Sequence, residues 1–233
     1  MDKISIILPT RERQSLIYRL LDSIVKTTDN PQDFEIIIYI DEDDLESQNI
    51  SYPSLSIVKL IGPQRTMVTI NNICYRASTG KYIFLMNDDV VFQTLHWDAT
   101  VVKALEQFPD GVALLYGNDL HRGKGMPTFP VLSRTVCELM DGICPSEFIR
   151  LLIDYRIFDI FKRLSSLGYN RIVYLADVIF EHMHYSIGKA PSDNTYLLGN
   201  NINDEMLFFI SARERYYLAL KFAQYIKNHK KKF

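Results

Sequence analysis

Lys81-Tyr82-Ile83-Phe84-Leu85-Met86-Asn87-Asp88-Asp89 sets an apolar run directly ahead of an amide and two carboxylates. Two earlier stretches have the same form. Ile4-Ser5-Ile6-Ile7-Leu8 is stopped by Pro9 and followed by Thr10-Arg11-Glu12-Arg13, and the run 34–40 ends in Asp41-Glu42-Asp43-Asp44. These runs are too short for typical helices. They are also nearly continuous in hydrophobicity, which is expected of parallel strands covered on both faces. Between them Leu16, Ile17, Leu20, Leu21, Ile24 and Val25 recur at helical spacing. Residues 55–60 read as a further strand, and 68–77 as a helix with Gly80 as its C-terminal cap. Strand–helix–strand order predicts an open α/β sheet with right-handed crossovers. Ligands of such sheets bind beyond the carboxyl ends of the strands, which directs attention to 9–13, 41–44 and 87–89.

The second half is less regular. Residues 112–116 and 129–132 read as strands, 117–130 as a loop, and 146–167 as a helix before Gly168. Segments 172–175 and 178–184 look extended, 186–204 resembles a polar flap, and 205–227 is helical. No repeat or low-complexity linker divides the chain, so 1–233 reads as one domain, with halves at 1–116 and 117–233. The chain has 233 residues, 47% hydrophobic and 23% charged, the balance of a folded protein. A net charge of −2 offers no basic field for nucleic acid. No apolar run is long enough to span a bilayer, and Met1-Asp2-Lys3 does not begin a signal peptide. Cys74, Cys137 and Cys144 form neither a zinc pattern nor a disulfide framework, which points to a reducing, cytoplasmic compartment. The basic tail Lys227-Asn228-His229-Lys230-Lys231-Lys232-Phe233 reads as a solvated terminus, with weak attraction to a membrane surface as its second reading.

Several residues carry potential chemistry. Adjacent carboxylates at Asp88 and Asp89 repel, and a divalent cation would supply the counter-charge; the plainer reading is a polar turn. In Glu181-His182-Met183-His184, strand periodicity puts His182 and His184 on one face, where an imidazole could complete a metal site begun by Asp89. Asp41, first acid after its strand, suits hydrogen bonding to a base or ribose. Arg11 and Arg65 suit forked contacts with phosphate, against the plainer reading of surface ion pairs. Asp154 and Asp159 lie on the long helix about 140° apart, so at most one would face a cleft and act as a base.

Together these features resemble a GT-A glycosyltransferase, most similar to family 2. The resemblance is dense over residues 3–92 and looser from 145 to 196. It implies a mixed sheet flanked by helices, with the nucleotide-sugar half at 1–116 and the acceptor half, flap and terminal helix at 117–233. Pro9, Thr10, Arg11 and Asp41 would line the base and ribose pocket, with Arg65 and Asn72 near the donor. The family's metal motif falls on Asn87-Asp88-Asp89, where Asn87 replaces the first acid and lowers the charge. Asp88 would face the donor, Asp89 would bind Mn2+ or Mg2+, and His182, with His184 as second choice, would add a ligand. The family's usual Glu-Asp pair is missing, so Asp154 is the first candidate base and Asp159 the second. The implied reaction moves a sugar from a UDP- or GDP-sugar to a glycan or other hydroxyl acceptor, with inversion. The alternative is a catalytically silent module that binds a nucleotide or glycan.

Overall fold

The computed structural model describes residues 3–193 and 202–230. Strands β1 (Ile4–Thr10), β2 (Phe34–Asp41), β3 (Ile57–Gly62) and β4 (Tyr82–Leu85) run parallel in the order β3-β2-β1-β4. Helix α1 (Gln14–Thr27) joins β1 to β2, and α2 (Met67–Ala77) joins β3 to β4. Beyond β4 come β5 (Val90–Phe92), α3 (Trp97–Leu105), β6 (Leu114–Asn118), β7 (Val131–Ser133), α4 (Arg134–Met140), α5 (Ile153–Ser166) and β8 (Ile172–His182). Helices α6 (Ile202–Ile210) and α7 (Ala212–Lys230) follow. The sheet continues from β4 through β7 and β6 to β8 and β5, with β7 antiparallel to its neighbours, β8 parallel to β6 and β5 antiparallel to β8.

The pleat explains the continuous apolar runs. Ile6, Leu8, Ile36, Ile38 and Phe84 point to one face, against Leu20 and Ile24 of α1 and Val101 of α3. Ile7, Ile37, Ile83 and Leu85 point to the other, against Val68 of α2, Ile157 of α5 and Phe222 of α7. Each fully buried side chain of this kind stabilises the fold by roughly 1.5–3 kcal/mol.

An aromatic brace on the first face places the far strands. Phe92 and Phe180 are direct partners in the β5–β8 ladder, and their rings meet edge to face at 4.7 Å. Phe84 of β4 meets Phe180 at 5.0 Å, and Trp97 meets Phe92 at 4.8 Å. Such pairs add about 0.5–1.5 kcal/mol beyond burial. Two residues along the same ladder, Val90 is opposite His182. Gly117 permits the approach of β8. A Cβ there would lie 2.5 Å from the Val178 carbonyl oxygen and 2.6 Å from the Phe180 ring.

The helix expected over 146–167 begins only at Ile153. Buried Asp204, in the first turn of α6, accepts the N–H groups of Ile149, Arg150 and Leu151 at 2.8, 2.8 and 2.7 Å. Those donors are satisfied outside a helix, and Leu152 then turns through φ 65. Asp204 is therefore part of a helix and not of a flap, and residues 194–201 of the expected flap lie outside the described residues. The segment 205–227 is two helices broken at Ser211, and 172–182 is one strand with an irregularity opposite Gly117. Gly80 is not a helix cap. Its N–H donates to Ser5 Oγ at 2.8 Å, and a Cβ would sit 2.5 Å from that oxygen. Sequence periodicity also missed β5 and α3.

Candidate functional site

Parallel register brings Thr10, Asp41 and the Asn87–Asp89 turn to one edge of the sheet. Thr10 Oγ1 donates to Asp88 Oδ2 at 2.9 Å, and Arg13 Nη1 donates to Asp88 Oδ1 at 2.9 Å. Arg13 is itself buried, and its Nε and Nη2 hold Asp193 at 2.8 and 2.7 Å. Burial nevertheless pushes the Asp88 carboxyl up to about 6, because Arg13 offsets only part of that effect and Asp89 opposes it.

Asp89 turns the other way. Its Oδ2 lies 3.4 Å from Nε2 of His182, and both residues are buried. The β5–β8 ladder imposes this meeting, since Met183 N donates to the Asp89 carbonyl at 2.8 Å. Neither ring nitrogen of His182 hydrogen-bonds within the described residues. Its ring instead packs edge-on against Phe129 at 5.0 Å and His184 at 4.8 Å. His184 Nδ1 accepts the Ser186 N–H at 3.2 Å, and burial followed by the charge of His182 holds the His184 imidazole below its ordinary value. Among the described residues, no three His, Cys, Asp or Glu side chains form a ready metal cluster.

Asp154 stands in the first turn of α5, where its Oδ1 accepts the adjacent Tyr155 N–H at 2.8 Å. Burial pushes its carboxyl up to about 6, and the opposing fields of Arg122 and His182 place it on the same cleft. Arg122 and His121 are presented by the loop after β6. Asp119 accepts the N–H groups of His121, Arg122 and Gly123 at 3.0, 2.7 and 2.8 Å, and the Thr128 hydroxyl at 2.6 Å. Against its burial, these donors hold the Asp119 carboxyl below the usual range. His121 stacks parallel to His184 at 6.3 Å.

Other candidates have different surroundings. Asp159 accepts from Arg163 Nε at 2.7 Å and Arg215 Nε at 2.5 Å. It braces α5 against α7, about 140° around the helix from Asp154. The Asn72 amide donates to the Cys144 carbonyl at 2.9 Å and accepts from Ile143 N at 2.8 Å, so it also tethers that loop. Arg11 is clamped by Asp41 at 2.9 Å and by both oxygens of Asp43 at 2.5 and 2.8 Å. Burial raises the Asp41 carboxyl. Pro9 and Asn87 are half-buried at the same edge, and exposed Arg65 reaches the Tyr39 phenol.

Sequence reasoning did not single out Arg13, Arg150, His121 or Arg122. Arg13 lies within a stretch already under suspicion, but nothing local separates it from Arg11. Arg150 feels the charges of Arg13, Asp88, Asp193 and Asp89, and burial lowers its guanidinium below the ordinary value. It is fixed there by Asp204, more than fifty residues on, so no local signal could reveal it.

The glycosyl transferase family 2 model matches residues 5–119. No curated protein matches by sequence. Among solved structures, a mannosyltransferase, PcManGT from Pyrobaculum calidifontis, in complex with GDP-Man and Mn2+, superimposes with a TM-score of 0.62 at 14% identity. That match covers 94% of this chain and 73% of the other. TarS from S. aureus gives 0.56 at 18% identity, over 76% of this chain and 36% of TarS. TarS 1-349 in complex with UDP-GlcNAc gives 0.54 at 18%, over 78% and 60%. The chain thus spans only about a third of full TarS. It has a GT-A fold, and its residues 5–119 match the glycosyl transferase family 2 model.

Proposed function

We propose that the chain transfers a sugar from a nucleoside-diphosphate sugar to an acceptor hydroxyl, with a divalent cation and with inversion at the anomeric carbon. One observation carries this reading. His182 is buried with both ring nitrogens free of hydrogen bonds within the described residues, 3.4 Å from buried Asp89, at the carboxyl edge of the parallel strands. Leaving such a ring unpaired is costly unless a ligand completes it. An oxygen and a nitrogen donor side by side fit Mn2+ or Mg2+, with remaining positions open to phosphate oxygens and water. Asp89 and His182 would hold the ion, with His184 behind them, and when bound it would offset charge on the departing diphosphate.

The chain's own groups supply the rest. Pro9, Thr10, Arg11 and Asp41 form the base and ribose side. Arg13, Arg150 and Arg65 bring guanidinium charge to the edge where the diphosphate would lie. Asp154, ionised at neutral pH with its carboxyl raised to about 6, accepts the proton of the acceptor hydroxyl. The donors to try first are UDP- and GDP-sugars, since the solved relatives are complexes with GDP-Man and UDP-GlcNAc. The acceptor is a glycan or another hydroxyl compound. Three buried, unpaired cysteines accord with a cytoplasmic location.

The test is a panel of nucleotide sugars with Mn2+, reading the melting temperature and the release of nucleoside diphosphate. Wild type should be stabilised by one donor and turn it over, while Asp89→Ala and His182→Ala lose both effects. Tight donor binding without any turnover would instead establish the silent binding module. Absence of stabilisation by every donor would sink both readings.

A further inference from the structure

The connection from α4 to α5 passes the N-terminus of α2, and two distant elements fix its backbone. Phe148 is buried in the core, and buried Ile153 opens α5. Between them Ile149 N donates to Asp204 Oδ1 at 2.8 Å, and the N–H groups of Arg150 and Leu151 donate to Asp204 Oδ2 at 2.8 and 2.7 Å. Asp204 belongs to the first turn of α6 and is fully buried. The Ile149 carbonyl in turn accepts the Val68 N–H at 3.3 Å, in the first turn of α2. Helix α2 starts just after β3, so this second tether holds residue 149 beside the carboxyl edge of the parallel strands.

What this tethered loop presents is Arg150. Its half-buried guanidinium lies in the fields of Arg13, Asp88, Asp193 and Asp89. Arg13 is already engaged, by Asp88 at 2.9 Å and by Asp193 at 2.8 and 2.7 Å. No hydrogen bond or ion pair within the described residues engages Arg150. A cation partly withdrawn from water without a partner suits an anionic ligand, and its planar fork matches phosphate oxygens. Local sequence alone would not keep it there. The pattern over 146–167 favours helix, in which the amides of 149–151 would bond along the chain and Arg150 would move with its backbone. The observed path instead turns Leu152 through a left-handed φ of 65, which a residue with a side chain adopts only under constraint. One buried carboxylate accepting three consecutive amides supplies that constraint.

We infer that Asp204 is a positioning residue for the donor site: by gathering the amides of 149–151 it holds the Arg150 guanidinium where the diphosphate of a nucleoside-diphosphate sugar binds. The inference rests on the proposed reaction, whose donor supplies that diphosphate. The test is calorimetric titration of UDP and of GDP, each with Mn2+, into the full chain and into Arg150→Ala, Asp204→Asn and the double variant, with a melting temperature for each. Arg150→Ala should weaken the nucleotide that wild type binds by about 10- to 100-fold. Asp204→Asn should weaken it about fivefold in the wild-type background and less than about twofold once Arg150 is gone, while lowering the melting temperature alike in both. A purely structural Asp204 would cost the same affinity in both backgrounds, and that result overturns the inference. So does unchanged binding by Arg150→Ala, which alters a half-buried side chain without touching the loop's backbone bonds. Should Asp204→Asn fail to fold, Asp204→Glu completes the same cycle, since it keeps the charge and displaces the amides by one methylene. Wild type that binds neither nucleotide would sink the proposed reaction and this inference with it, whereas wild-type binding with additive losses would sink the inference alone.

Discussion

The two ends of the sheet treat buried carboxylates in opposite ways. At the amino end, Glu35 of β2 accepts from Lys3 Nζ at 2.8 Å, Ser5 Oγ at 2.7 Å, Thr79 N at 2.6 Å, Thr79 Oγ1 at 2.9 Å and Gly80 N at 3.2 Å. Against burial, Lys3, Ser5 and Thr79 hold its carboxyl down to about 2. At the carboxyl end, burial drives Asp154 and Asp88 up to about 6. Glu35 and Asp88 are equally buried, so burial does not separate the two ends. The supply of donors does. The amino end is a fully satisfied clamp that joins β1, β2 and the chain after α2. Among the described residues, the carboxyl end leaves Asp154 and the His182 imidazole short of partners, which is the condition for binding something else.

The largest test of this contrast is Asp154→Asn. If the under-supplied carboxylate is the base, transfer should fall about 10²- to 10⁴-fold while donor affinity holds. Wild-type kcat/KM should rise with pH through about 6, as the base must be ionised to accept a proton. An Asn variant that keeps wild-type turnover would remove Asp154 from the chemistry. Next in size, His182→Ala should weaken Mn2+ affinity by about 10- to 100-fold in a direct titration, whereas Asp159→Asn should leave it unchanged. Equal effects from the two would dissolve the distinction between cleft acid and helix brace.

Stability should separate the two ends with opposite signs. Glu35→Gln should cost about 2 kcal/mol at pH 7, because backbone and hydroxyl donors lose a charged acceptor. Glu35 has a depressed carboxyl, so its contribution is present above 4.5 and lost as pH falls through about 2. The deficit of the variant in denaturant unfolding should therefore shrink over that window. The smallest effect is the reverse one. Asp154 has a raised carboxyl, so the fold is favoured below about 3.8 and this advantage is lost as pH rises through about 6. Asp154→Asn should gain roughly 1 kcal/mol at pH 8 and nothing at pH 4. A loss at pH 8 would mean that the Asp154 carboxylate stabilises the fold, and the comparison would fail.

Much of the carboxyl edge of the sheet was legible because its signals are local. Thr10 and Asp41 end strands that hydrophobicity reveals, and Asp89 lies in the turn just beyond another. Asn72 shows the limit of local signals. Its spacing before Gly80 suggests a donor contact, and only the fold reveals that its amide also tethers the loop at 143–144. Arg150 was invisible because its position depends on Asp204 gathering three backbone N–H groups where the local pattern favours helix.

By itself the sequence determined the parallel half of the sheet, the turn that carries the paired acids, and the amphipathic helices around them. Apolar runs, breakers and periodicity act between near neighbours, so they can be read without coordinates. Only the tertiary structure decided that Asp89 meets His182, that Asp88 is spoken for by Thr10 and Arg13, and that Asp154 rather than Asp159 faces the cleft. Those outcomes depend on strand register and on which helix face is covered. The Phe92–Phe180 brace and the Arg215–Asp159 ion pair set them, through contacts between residues far apart in the chain.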